Sequence, residues 1–187
     1  MKYTFSALHC AGLTLALLFA YSGIFASAQS MESSKEVLAA STHAVELTDK
    51  PVRAKFVSGK SDKNTSLSQR LKSLPSSRKV YLVLTGLRAA EQPGTLFHLY
   101  LDLPEGVTPK PRNAWHVGSI NFYNAVPGAD APKDKPAPTV AIDITDRLRN
   151  LHSSQKLTPA TTLTIMPTRL PEVGSKPVIE NIAIVVK

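Results

Sequence analysis

Imidazoles, carboxylates and a small aromatic group are the side chains of this chain that could do chemistry. A metal centre needs several ligands held in one geometry. His43, His98, His116 and His152 stand outside the leader described below, and none is paired with another at helical or zinc-finger spacing. Each reads as a surface or strand-edge residue, and His98 falls on the face of its strand opposite Phe97. Carboxylates for glycosidase-type acid–base work would have to come from Asp102, Glu105, Asp143 or Asp146. Asp146 is explained as a complement to a helix dipole and Asp102 as the solvent side of a strand.

Two partial motifs fail on a missing glycine. Gly59-Lys60-Ser61 ends like a phosphate-binding P-loop, but Ala54 stands where the motif needs its first glycine, so the cradle is absent. Gly118-Ser119-Ile120-Asn121 lacks the second glycine of a nucleophile elbow. Asn64-Thr65-Ser66 is a glycosylation sequon, of little consequence after bacterial-style export. Trp115, His116, Phe122 and Tyr123, flanked by proline-rich loops, form the aromatic group. They read either as core packing with a strand end or as a protruding contact surface, since Trp and Tyr are frequent binding anchors.

The elements that must position these residues are mostly strands. Val80 to Leu84 is an unbroken apolar run rich in β-formers, as in a strand covered on both faces. After Pro93-Gly94, the residues Phe97, Leu99, Leu101 and Leu103 alternate with His98, Tyr100 and Asp102. Further strands are expected at Val45 to Val57, His116 to Tyr123, Thr139 to Ile144, Thr161 to Met166 and Val178 to Val186. Gly118 and Ser119 suggest a bulge or a close backbone approach. Thr145 reads as the N-cap of one short helix with Leu148 and Leu151 buried. Ser58 to Ser77 and Val126 to Pro138 read as polar loops. Together these predict a mainly β fold, a single antiparallel β-sandwich (jelly-roll-like) with one short helix.

Residues 1–28 are of another kind. Lys2 is followed by an apolar run and then Ala26-Ser27-Ala28, the three parts of a secretory signal peptide. The run is shorter than the roughly 20 residues of a spanning helix, so no membrane span is expected after leader removal. The expected organisation is a signal peptide at 1–28, a flexible lead-in at 29–44 with a helical possibility around Glu36 to Ala40, and a β-sandwich domain at 45–187. Cys10 lies in the leader, so the exported chain, periplasmic or secreted, would rely on its apolar core without a disulfide. The whole chain carries a formal +8, and without Lys2 the balance is 21 Lys+Arg to 14 Asp+Glu, a formal +7. These charges are scattered singly, which argues against the basic stripe of a nucleic-acid binder.

Several segments, in order, then match one pattern. Leu47 to Phe56, Val80 to Gly86, Leu96 to Asp102, Val117 to Asn121, Ile142 to Leu151, Leu163 to Pro167 and Ile179 to Val185 together resemble the C-terminal, KFDV-type domain of polyphenol oxidases and tyrosinase-like proteins. The family's Lys-Phe-Asp-Val tetrad appears as Leu96-Phe97-His98-Leu99, keeping the aromatic alone. The resemblance implies a β-sandwich that leans over the mouth of a dicopper oxidase and shields it. That oxidase needs six histidines, more than this chain can supply. The expectation is therefore a non-catalytic, exported accessory domain with no metal or cofactor of its own. Its partner would be a tyrosinase-like copper oxidase, met through Trp115, His116, Phe122 and Tyr123. The other reading is an exported β-sandwich binding module for a glycan or surface polymer.

Overall fold

A computed structural model describes residues 35–59, 65–126 and 136–187. The leader at 1–28 and the sequon asparagine lie outside the described residues. In chain order the elements are β1 (Glu36–Ser41), β2 (Val45–Glu46), β3 (Val52–Ser58), α1 (Leu67–Ser73), β4 (Val80–Arg88), β5 (Phe97–Leu101), β6 (His116–Ile120), β7 (Thr139–Asp143), α2 (Thr145–Ser153), β8 (Thr162–Pro167) and β9 (Val178–Val186).

Every pairing is antiparallel, and the strands follow the order β6-β5-β8-β3-β1-β9-β4-β7, with β2 beside β9. The mainly β, antiparallel class expected from alternation is the one observed, as a nearly closed, barrel-like sheet around one core. β4 is central because it pairs on both sides, with β7 and with β9. Its Val80, Leu82 and Leu84 are fully buried, and Phe97, Leu99 and Leu101 of β5 meet them from the other side of the core. On the outer side Val83 packs with Ala183 and Val185 of β9, which explains why the run is apolar throughout.

The ends of the strand path, β6 and β7, come together at Gly118. A Cβ there would lie 3.0 Å from Ile142 Cδ1, so the absence of a side chain lets β7 close against β6. The expected bulge is also present: register shifts between Leu99 and Tyr100 where β5 meets β6.

Three local expectations are corrected. The stretch read as a flexible lead-in carries β1, which fills the gap between β3 and β9. Glu, Leu and Ala favour a helix intrinsically, but Leu38 and Ala39 are buried and two ladders of backbone bonds outweigh that preference. The loop read at Ser58 to Ser77 contains a second helix, α1. Ser66 and Gln69 form a reciprocal capping box at its start, and Leu67 is buried. The cap of α2 lies one residue earlier than expected, at Ile144. Thr145 is instead the first helical residue, and Asp143 Oδ1 accepts from its N–H at 3.0 Å and its hydroxyl at 2.6 Å. Leu148 and Leu151 are buried as expected.

Candidate functional site

The four aromatic-group residues are not one patch. Trp115 and His116 stand at the start of β6, whereas Phe122 and Tyr123 follow its end. Phe122 is 1% exposed and meets Phe97 edge-on, with ring centroids 5.5 Å apart, so it belongs to the core. Trp115 packs half-buried against the core beneath Lys156, whose Nζ lies 5.2 Å from the ring. Tyr123, at 77% exposure, is the one that protrudes.

Tyr123 stands at a groove of about 420 Å³ lined by Gln92, Gly94, Asn121, Phe122, Thr168 and Arg169, among others. The turn that carries it is held locally. Its N–H donates to Asn121 Oδ1 at 3.2 Å, and Gln92 Nε2 donates to its carbonyl at 2.9 Å. Arg169 braces the opposite wall by donating through Nε to the Gly94 carbonyl at 2.7 Å. The result is an exposed phenol ring beside amide and guanidinium groups, suited to contact with a protein or a polyhydroxylated ligand.

A second group lies on the outer face of β5 and β6. The bulge brings His116 and Ser119, three residues apart, to the same side as His98 and Tyr100. Ser119 Oγ lies 2.7 Å from His98 Nδ1 and 3.5 Å from His116 Nε2. The Tyr100 ring, 1% exposed, lies against both imidazoles, with centroids 5.3 Å from His116 and 6.3 Å from His98. Burial, then the charge of His98 and of Arg147, holds the His116 imidazole below its ordinary value; burial alone pushes the Tyr100 phenol up. This cluster was not legible in spacing, because a bulge changes which residues share a face.

The other candidate side chains do structural work. Asp102 is buried, not on the solvent side of a strand, and occupies left-handed backbone at φ 52°. Its carboxylate accepts from Thr158 N at 2.9 Å, Thr158 Oγ1 at 3.0 Å and Thr162 N at 2.8 Å, tying the start of β8 to the end of β5. Asp143 accepts from Thr145 at the start of α2, and those hydrogen bonds, with the Lys79 ammonium, hold its carboxyl below the ordinary range. Ser68 Oγ lies 3.0 Å from His152 Nδ1, linking α1 to α2. Among the described residues no three histidine, cysteine or acidic side chains are placed to hold a metal. No described helix is long and apolar enough to cross a membrane.

The profile of a domain of unknown function (DUF7868) matches residues 34–187, from just before β1 to the end of the chain. The chain belongs to this family. The DUF7868 match therefore includes every strand and both helices described above. Among solved structures, recombinantly expressed latent aurone synthase (polyphenol oxidase) is similar at 12% identity and a TM-score of 0.44, covering 75% of this chain and 25% of that one. Latent apple tyrosinase is similar at 16% identity and a TM-score of 0.47, covering 76% of this chain and 27% of that one. The DUF7868 chain thus spans about a quarter of the length of those proteins. No curated protein matches it.

Proposed function

We propose that this protein is an exported, non-catalytic accessory or shielding domain that covers or assists the active-site entrance of a tyrosinase-like dicopper oxidase. The observation that carries the reading is where the resembling segments fall. Leu47 to Phe56 runs into β3, Val80 to Gly86 lies in β4, Leu96 to Asp102 spans β5, and Val117 to Asn121 covers β6. Ile142 to Leu151 runs from β7 into α2, Leu163 to Pro167 lies in β8, and Ile179 to Val185 lies in β9. The matched segments thus fall on strands of one sheet, β6-β5-β8-β3 on one side of β1 and β9-β4-β7 on the other, as a shared domain requires. A shared fold does not carry a shared function by itself, so the partner must be tested directly.

The contact group reduces to Tyr123 and the rim of its groove, with Phe122 behind it as support. Co-expression with a tyrosinase encoded in the same genome tests the reading. A complex that alters oxidase activity or copper loading is expected; no complex and no change would end it. Because Tyr123 stands beside Gln92, Asn121 and Arg169 in an open groove, a glycan or surface polymer is the second reading. Polysaccharide binding lost on Tyr123→Ala, without any oxidase complex, would favour it.

A further inference from the structure

The outer face of β6, β5 and β8 carries a ligand set that extends beyond the histidine pair. In the β5–β8 register His98 lies directly opposite Met166, and Tyr100 opposite Thr164. Opposed residues share a face, with Cβ atoms about 4.5–5.5 Å apart. Met166 is half-buried and outside the apolar clusters, whereas its neighbours Leu163 and Ile165 are fully buried in the core. Three adjacent strands therefore present, side by side on one outer face, the imidazole of His116, the imidazole of His98 and the thioether of Met166.

The imidazoles are already turned toward a common point. His98 Nδ1 and His116 Nε2 both approach the Ser119 hydroxyl, and their rings stand 5.1 Å apart at 84°. The buried ring of Tyr100 forms the floor. Beside it, across the β5–β8 ladder, the buried hydroxyl of Thr164 has no hydrogen-bond partner. We propose that His98, His116 and Met166 form a surface site for a single copper ion, with Cu(I) its preferred state and the Ser119 hydroxyl at its margin.

The chemistry selects the ion. Imidazole binds zinc, nickel and copper, whereas a thioether favours Cu(I). Calcium and magnesium need oxygen ligands, chiefly carboxylates, and these three side chains offer none. Arg147 of α2 also bears on His116. A cation so placed disfavours a divalent ion more than a monovalent one.

The inference stands apart from the shielding role, because its test needs no oxidase. The full chain, carrying Cys10→Ser so that its one thiol cannot compete, is titrated anaerobically with Cu(I) held by a chromophoric competitor. One equivalent is expected to transfer, with Zn(II) held more weakly. Substitutions beyond a metal's direct ligands already cost about 10–100-fold in affinity, so losing a direct ligand should cost at least about tenfold. Met166→Leu, which keeps the side-chain volume, should cause that loss for Cu(I) and leave Zn(II) affinity unchanged. His98→Ala should weaken both ions. Unchanged circular dichroism verifies folding, and X-ray absorption of the Cu(I) form should report sulfur and nitrogen ligands. No transfer from the competitor, or full Cu(I) affinity in folded Met166→Leu or His98→Ala, overturns the site.

Discussion

His98 and His116 meet edge to face across the β5–β6 ladder, ring centroids 5.1 Å apart, although a regular register would not pair them. The bulge between Leu99 and Tyr100 creates the relationship, and its consequence is electrostatic. Protonating both rings would place two cations side by side over the buried Tyr100, with Arg147 of α2 also bearing on His116.

Acid should therefore weaken this edge of the sheet. His116 has a folded-state pKa below its ordinary value of 6.5, chiefly through burial, so the unfolded chain takes up its proton first as pH falls. Its contribution is complete above 6.5 and is lost as pH drops from there through the folded value. The groups that face it are His98, Tyr100 and Arg147. His116→Gln should flatten the decline in Tm between neutral and mildly acidic buffer relative to the parent. Parallel profiles for the two proteins would refute this.

Asp102 gives a second test with the opposite sign. Burial pushes its carboxyl above the ordinary value of 3.8 despite hydrogen bonds from Thr158 and Thr162. The unfolded chain thus loses this proton first, and stability falls as pH rises from 3.8 through the folded value. Asp102→Asn tolerates the left-handed backbone but turns an amide donor toward groups that themselves donate. The expected loss is about 1–3 kcal/mol by denaturant titration, the cost of leaving buried donors unpaired. The parent's advantage over the variant should shrink as pH climbs through that window.

At Gly118 the prediction concerns closure. A valine there would press on Ile142, whose nearest atoms stand 3.0 and 3.1 Å from the position of a new Cβ. Overpacking of this kind costs about 1–3 kcal/mol. Ile142→Val in the same chain should recover part of the loss, since contacting sites couple. Additive effects of the two substitutions would show that β6 and β7 do not press together here.

What the sequence discloses depends on how local the cause is. Alternation along Phe97 to Leu103 is a local pattern, and it identified the inward residues of β5. Gly118 was legible because only a glycine allows the contact that it makes. The capping box at Ser66 and Gln69 was also present to be read, but serines and a proline around it pointed to a loop. β1 could not be read from its own residues: Glu36 to Ser41 has helical propensity and becomes a strand because β3 and β9 leave a place for it. Asp102 looked solvent-facing by parity, yet the chain turns left-handed there and buries it. The His98–His116–Met166 face was illegible for a related reason. It depends on a bulge and on the non-local register between β5 and β8, neither of which spacing encodes.

Phe122 and Tyr123, adjacent in sequence, separate core from contact surface and give the last prediction. Phe122→Ala removes a fully buried ring set edge-on to Phe97 and should cost about 3–5 kcal/mol. Tyr123→Ala removes an exposed ring and should change stability by less than about 0.5 kcal/mol, as at most surface sites. If Tyr123 anchors a partner at the groove, its truncation should weaken the complex by about 2 kcal/mol or more, roughly thirtyfold in Kd. The measurement is a binding titration of folded Tyr123→Ala against the co-encoded oxidase, with Val57→Ala, exposed on β3 away from the groove, as the control. Equal affinities for the two variants would remove Tyr123 from the interface and, with it, the groove as the contact surface.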